Sequence, residues 1–389
     1  MLKMKRYKIL LVSAAANMIW QFNKRNIELL REIGFEVLIA TNYRQPGTLS
    51  LKERDKMLAW LERNDVKTFQ VDFERGVGNL KTNLAVIRQL RQIISENGVD
   101  VVHSQSPIGG VLARIASKLE SKKSIYTAHG FHFFKGAPLI NWFVYFPIEL
   151  ILSGITDYQI VINDEDYQAA NRLFCKDITK IPGVGVKIKA ALESTDMEKS
   201  NNRDLIRAEL GIGGDEFVML CVAELSQRKN QIAILRAMNR INNKNIHLIL
   251  AGIGNEFDYL VHQARMMGLQ DRIHFLGYRT DVNMLHHASD LNVFPSKQEG
   301  LALGGIEAIC NGLYIVGSDI RGVRDYIFDE KMGRLIQPNN VDQLANVIAE
   351  ESRRKVRVSN NDIARLSDFD VSNVDDLMHE FYLRVKKEL

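Results

Sequence analysis

Two glutamates, Glu299 and Glu307, stand eight positions apart in the stretch PSKQEGLALGGIEAICNGLYIVGS. Between them lie three glycines and no other charge. The apolar run DLNVFP comes just before and LYIVGS just after, and both are of strand type. Glu299 therefore falls in a loop that leaves one strand, and Glu307 in the early part of the following helix. They do not share a helix face; they bracket a glycine-bearing loop that enters a helix N-terminus. Backbone N–H groups are unpaired there, and the helix dipole favours an anion. A carboxylate beside such a site repels the anion unless its oxygens turn to something else, such as the hydroxyls of a sugar or ribose. Amides for a diphosphate and carboxylates for vicinal hydroxyls suit a nucleotide-sugar. The same spacing also serves two acids that cap the helix or form surface ion pairs.

The elements that would hold these residues follow a regular alternation. YKILLVSAA, EVLIAT, DVVHSQ, KSIYTAHG and YQIVIN read as strands. NKRNIELLREIG, NLAVIRQLRQIISENG, GVLARIASKLE and DEDYQAANRLF read as the helices between them, two of them closed by Gly34 and Gly98. Around residues 182–204 the pattern lapses into a polar run with Pro and Gly, which reads as a linker. Alternation then resumes with the strands EFVMLCVAEL, HLILAG, RIHFLG, DLNVFP and YIVGS and the helices between them. The last segment, DLMHEFYLRVKKEL, is an amphipathic helix. The expected class is α/β, with two doubly wound, Rossmann-like domains at residues 1–181 and 205–370 facing across a cleft. The helix at about 371–389 is expected to pack back on the first. Ligands in such sheets bind beyond the carboxyl ends of the strands, so the first residues after each strand are the ones to watch.

The bulk numbers fit this frame. A chain of 389 residues, 46% apolar and 25% charged, has room for two ordinary soluble domains. Cys175, Cys221 and Cys310 show no metal-ligand spacing and read as buried free thiols. MLKMKRYKILLVSAAA has a short apolar run that reads as a first core strand, not a leader. No run reaches the ~18 apolar residues of a membrane span. The net charge of +4 is uneven: residues 1–181 carry 25 Lys and Arg against 18 Asp and Glu, so a basic first half facing an anionic partner is one reading. Nucleic-acid binding is not expected, because no basic aromatic platform or reading helix is present.

The Glu299–Glu307 stretch resembles the E-x7-E motif of retaining, family-four glycosyltransferases with the GT-B fold. VVHSQSPIGGVLARIAS, YTAHGFHFFKGAPLINWFVYFPIE, VINDEDY, VAELSQRKNQIAILRA, LAGIGNEFDYL, FLGYRTDVNMLHHASDLNVFPS and SDIRGVRDYI are similar to stretches of bacterial capsular and exopolysaccharide glycosyltransferases, in matching order. The resemblance implies that Glu307 binds the ribose hydroxyls of a UDP-sugar. Glu299 would contact the transferred sugar, and the amides of Gly300, Leu301, Ala302 and Leu303 would meet the diphosphate or the sugar. Lys229, assisted by Arg228, would neutralise the departing diphosphate. Gly277, Tyr278 and Arg279 could line the base. Gly252 and Gly254 allow close backbone approach, as a plain turn would too. His129 matches the family histidine that touches the transferred sugar, with His132 as its rival. His103, with Gln105, could face the acceptor; His286 and His287 read as structural.

The implied reaction keeps the anomeric configuration: the acceptor hydroxyl attacks from the face that the diphosphate leaves, and a diphosphate oxygen receives its proton. A nucleotide-sugar epimerase and a non-catalytic nucleotide-sugar-binding subunit are the alternatives. No cofactor or metal is expected, since Asp164-Glu165-Asp166 reads as an acidic first helical turn and not as a metal motif. Two departures from the family pattern stand out. Ala223-Glu224 occupies the place of a common Gly-Arg pair, and the first loop, SAAANMIWQFN, lacks paired glycines. Residues 131–152 are strongly aromatic, so contact with a membrane surface on the cytoplasmic side, near a polyprenyl-linked acceptor, is an open expectation.

Overall fold

The computed structural model describes residues 6–74, 76–241 and 243–389. The chain divides into two compact units, one running to Val184 and then taking Ser372–Leu389, the other Gly185–Val371. Each is built on one parallel sheet.

The first sheet holds β1 (Lys8–Val12), β2 (Glu36–Thr41), β3 (Lys67–Gln70), β4 (Val101–Gln105), β5 (Lys123–Ala128), β6 (Tyr158–Val161) and β7 (Asp177–Lys180), in the order β3-β2-β1-β4-β5-β6-β7. Ile9 of β1 is in register with Val37 of β2 and Val101 of β4, and all three are buried. Burying such a side chain contributes roughly 1.5–3 kcal/mol, which is why the middle strands read as nearly unbroken apolar runs. Gly34 and Gly98 end their helices in the left-handed conformation. Helix Val371–Lys387 packs Val374, Met378, Phe381, Tyr382 and Val385 into the core under β1, β5 and β6.

The second sheet holds β8 (Phe217–Val222), β9 (Ile246–Ala251), β10 (Ile273–Gly277), β11 (Leu291–Phe294), β12 (Tyr314–Ser318) and β13 (Gly333–Ile336), in the order β10-β9-β8-β11-β12-β13. In both sheets the winding reverses beside the first strand, between β1 and β4 and between β8 and β11. The loops leaving those strand pairs flank the crevice in which such sheets take ligands.

The stretch read as a linker is ordered and helical. Helix Ile188–Glu193 is followed by helix Asp196–Leu210, whose N-terminus is capped by the Thr195 hydroxyl accepting from Glu198 N–H at 3.2 Å. The second helix is polar on most of its surface and buries Ile206 and Arg207, so the apolar period that marks a helix is weak. Arg207 donates to Asp290 Oδ2 at 2.8 Å, just before β11. The crossing between units falls at Val184 and Gly185. There Val186 bridges Asp370, with Val186 N–H donating to Phe369 O at 2.8 Å and Val371 N–H to Val186 O at 2.9 Å.

Candidate functional site

The loops after β8 and β11 meet at the switch point of the second sheet. The β8 loop turns at Ser226, whose carbonyl accepts from Lys229 N–H at 3.0 Å and Asn230 N–H at 3.1 Å. Asn230 sits in the left-handed region, which Asn tolerates. Its Nδ2 donates to Pro295 O at 3.0 Å and Pro338 O at 2.9 Å, tying this loop to the one after β11. Lys297 N–H donates to Arg228 O at 2.8 Å and closes the same join.

This clamp brings the charged residues together. Lys229 Nζ lies 2.7 Å from Glu299 Oε1, and Arg228 Nη1 lies 3.1 Å from Glu299 Oε2. Lys229 also sits 4.8 Å above the Phe294 ring. Glu299 is 6% exposed, so its two cationic partners hold a largely desolvated carboxylate in one place. Arg321 Nε donates to the Glu299 carbonyl at 3.2 Å. Glu224, in the place of the family's arginine, approaches Arg228 at 3.8 Å and is half exposed.

Glu307 lies four residues into helix Leu303–Cys310, half-buried. Its carboxylate has no hydrogen-bond partner among the described residues, and burial raises its pKa above the ordinary value. A carboxylate in that state gains from any ligand that donates hydroxyl protons to it.

The amides between the two glutamates are not a row of open donors. Ala302 N–H donates to Gly322 O at 2.9 Å and Leu303 N–H to Leu301 O at 3.1 Å. Gly322, at φ +71°, approaches so closely that a Cβ would lie 2.4 Å from Gly300 O. Among the described residues, the Leu301 amide has no protein acceptor. The approach made possible by Gly252 and Gly254 is to the protein itself: a Cβ would lie 1.9 Å from Ala223 O at Gly252 and 2.1 Å from Leu225 O at Gly254. These glycines seat the β8 loop against the β9 loop. Arg279 does not line a base freely, because it is forked onto Asp281 at 2.7 and 2.6 Å and reaches Glu209 at 2.7 Å. Those hydrogen bonds push its pKa further up. Tyr278, 67% exposed, remains accessible beside it.

In the first unit His129 follows β5. Its Nε2 is 2.7 Å from Gln105 Oε1 at the end of β4, and Phe22 packs 5.4 Å from its ring. Burial lowers its pKa to about 4, so the imidazole is neutral near pH 7. His103 and Gln105, expected to face the acceptor, are both buried and engaged by protein partners. His103 is buried, with Nδ1 3.0 Å from Tyr382 Oη and Nε2 2.8 Å from Thr127 Oγ1. Desolvation, with His129 adding to it, brings its pKa to about 3. Gln105 is buried and bridges His129 to Asn23. His132 stacks on Tyr145 with ring centroids 4.6 Å apart.

The acids of NDEDY have protein partners: Asp166 Oδ2 accepts from Phe131 N–H at 3.1 Å and Asn163 Nδ2 at 2.9 Å, Glu165 from Lys135 N–H at 2.6 Å, and Asp164 pairs with Lys180. Asp166 and Glu165 hold the loop after His129. His286 and His287 are buried on Asn311. Asn23, Asn230 and Arg321 are the residues that sequence reading passed over. Arg321 stood in the quoted stretch SDIRGVRDYI without a role, and Asn23 and Asn230 are polar residues at helix starts with no spacing to mark them.

Two nucleotide-type parallel sheets, one bearing a clamped Lys–Glu pair beside a helix N-terminus, define a GT-B glycosyltransferase. The comparisons agree. Residues 202–357 match the glycosyl transferases group 1 model, and residues 8–158 the glycosyl transferase 4-like model. EpsD of Bacillus subtilis (strain 168), which carries the name of a glycosyltransferase, is 36% identical over 262 residues, covering 66% of this chain and 68% of that protein. The UDP-Gal:alpha-D-GlcNAc-diphosphoundecaprenol alpha-1,3-galactosyltransferase of Escherichia coli is 28% identical over 296 residues, covering 72% and 75%. The crystal structure of Anabaena HepE in complex with UDP and glucose superposes with a TM-score of 0.75 at 20% identity, over 97% of this chain and 100% of that one. The chain belongs to the family-four glycosyltransferases of the GT-B fold and is an enzyme of that kind.

Proposed function

We propose that this enzyme transfers a hexose or N-acetylhexosamine, with retention, from a UDP-sugar to a polyprenyl-diphosphate-linked saccharide in capsular or exopolysaccharide synthesis. The observation that carries the reading is the Lys229–Glu299–Arg228 cluster at the β8/β11 switch point, followed in helix Leu303–Cys310 by the carboxylate of Glu307, which has no hydrogen-bond partner among the described residues. In this reading Glu307 accepts from the ribose hydroxyls, and Lys229 and Arg228, not a metal ion, neutralise the diphosphate. Glu299 contacts the sugar. The sugar–phosphate C–O bond breaks as the acceptor oxygen bonds to the same face, and the acceptor proton passes to the departing diphosphate. UDP as the nucleotide and a lipid-linked acceptor are supported by the UDP complex of Anabaena HepE and by the substrates in the name of the Escherichia coli relative.

A thermal-shift panel of UDP-, GDP- and dTDP-sugars tests the donor. UDP-sugars are expected to raise the melting temperature by mass action, and the Glu307→Ala variant to lose most of that rise. The pH dependence has a defined sign. Because the Glu307 pKa is raised, the folded free enzyme holds its proton at pH values where the unfolded chain has lost it, so this group's contribution to stability falls as pH increases through that window. Hydroxyl donors favour the ionised form, so the UDP-induced rise should grow across the same window and then level off. A larger rise with GDP- or dTDP-sugars would overturn the choice of nucleotide.

The acceptor side of the proposal places the enzyme at the inner membrane face. Among the described residues no helix is long and apolar enough to cross a membrane. Helix Leu139–Ser153 nevertheless exposes Leu139 by 74%, Phe143 by 76% and Ile151 by 71%, with Ile140 and Trp142 beside them. An apolar helix face of this kind seats in the lipid interface. Replacing Trp142 and Phe143 by serine should reduce co-sedimentation with anionic phospholipid vesicles several-fold; unchanged binding would remove this contact from the proposal.

A further inference from the structure

Asn23, Gln105 and His129 form a hydrogen-bonded chain whose proton positions can be read from one end. The Met18 carbonyl oxygen can only accept, so Asn23 Nδ2, 3.2 Å away, donates to it. That turns Asn23 Oδ1 the other way, where it accepts from Asn26 Nδ2 at 3.2 Å and from Gln105 Nε2. The Gln105 amide is thereby oriented: its nitrogen is taken by Asn23, and its Oε1 faces His129 Nε2 at 2.7 Å. A carbonyl oxygen cannot donate, so His129 Nε2 carries the proton. Burial lowers the imidazole pKa to about 4, so near neutral pH the ring holds one proton only. Nδ1 is then a bare lone pair, and among the described residues nothing donates to it.

The chain is firmly held. Asn23 is fully buried at the junction of helix Ala16–Phe22 and helix Lys24–Ile33. Its N–H donates to Ile19 O at 2.9 Å, and its carbonyl accepts from Ile27 N–H at 2.9 Å. Gln105 is 3% exposed, so neither amide has room to turn over without breaking a buried hydrogen bond.

We propose that Asn23 and Gln105 are positioning residues that lock His129 in its Nε2–H tautomer, so that the ring offers a ligand hydroxyl an acceptor and never a donor. The inference deepens the proposed function and rests, in addition, on the expectation drawn from the family resemblance that His129 meets the transferred sugar. It adds a specificity rule. The position on the sugar that meets Nδ1 must carry a proton donor; an ether or a carboxylate there would face a lone pair and be rejected.

The test is 15N NMR of the full-length protein with labelled histidine, near neutral pH, with the His129 signals assigned by their loss in His129→Ala. The wild type should show a slowly exchanging proton on Nε2 and an unprotonated Nδ1. Gln105→Leu removes the acceptor, so that proton should exchange freely with water and the locked signal vanish. Asn23→Asp keeps an oxygen facing Gln105 but sets its other oxygen against the Met18 carbonyl, so the signal should weaken without vanishing. Turnover of UDP-glucose, UDP-galactose or UDP-N-acetylglucosamine, whichever gives the largest thermal shift, should fall about tenfold in Gln105→Leu and persist in Asn23→Asp. The wild-type spectrum needs no folded variant: a proton on Nδ1, or on both nitrogens, overturns the proposal. A locked Nε2 proton with unchanged turnover in Gln105→Leu overturns the ligand half and removes His129 from the sugar site. Failure of the donor reading is seen separately, as no UDP-sugar shifting the melting temperature, and leaves the tautomer result standing.

Discussion

Lys229→Ala is expected to lower kcat/KM for the UDP-sugar by about three orders of magnitude, roughly 4 kcal/mol of transition-state stabilisation. Lys229 Nζ is nearly buried, 2.7 Å from Glu299 and above the Phe294 ring. A charge held in a site of low polarity is worth far more than one in water. As the diphosphate departs it gains negative charge, and Lys229 is a largely buried cation at the strand ends of the proposed site. Most of the loss should therefore fall on kcat, with a smaller rise in KM, because the interaction strengthens as the bond breaks. Arg228, still 3.1 Å from Glu299, keeps that carboxylate paired in the variant, so the fold should survive. Glu299→Gln supplies the contrast: it keeps the size but removes the charge that holds Lys229, and full transfer by that variant would take Glu299 out of the chemistry. Equal loss in UDP binding and in turnover for Lys229→Ala would mean that the lysine binds the ground state and transition state alike.

Much of this site is legible in the sequence because the residues sit where parallel strands end. EVLIAT coincides with β2, and DLNVFP overlaps β11 and stops at the loop that carries Glu299. Those strands lie inside their sheets, buried on both faces, and their apolar runs announce them. The strands that sequence reading left out are β3, β7 and β13. All three are sheet edges, four residues long. An edge strand buries one side only, and KTFQ and DITK carry too little apolar pattern to stand out. Helix Asp196–Leu210 escaped for the same reason. The Asn23–Gln105–His129 chain was out of reach on different grounds. Asn23 and Gln105 are 82 positions apart, and nothing local to either marks the pairing. Lys229 and Glu299, 70 positions apart, were brought together only by resemblance to the family. The geometry supplies the physical reason, which is the Asn230 clamp between their loops.

Glu149→Ala should be among the most damaging single changes to the fold, lowering stability by about 3–5 kcal/mol. Arg114 is fully buried on helix Pro107–Leu119, and its guanidinium meets Glu149 in parallel at 2.9 and 3.1 Å. Its Nε donates to Gly110 O at 3.0 Å, and the guanidinium lies 3.9 Å above the Tyr126 ring. Removing the carboxylate leaves a cation with no water and no counter-charge, which costs far more than the pair contributes when intact. In the ~200-residue first unit that loss should lower the apparent melting temperature by roughly 6–20 °C. Replacing both residues, Arg114→Met with Glu149→Leu, removes the buried charge altogether and should recover most or all of the loss. If the single and double variants melt alike, the cost lies in the lost packing of Glu149 and not in a stranded charge. The comparison also bears on the proposed membrane contact. Glu149 lies on the inner side of the helix whose outer side carries Leu139, Phe143 and Ile151. A double variant that melts normally and still binds vesicles would show that neither the seating of this helix against helix Pro107–Leu119 nor the lipid contact needs the ion pair, and that the outer apolar residues alone meet the lipid. A double variant that melts normally but has lost vesicle binding would show that the angle at which the helix is held matters as much as what it exposes.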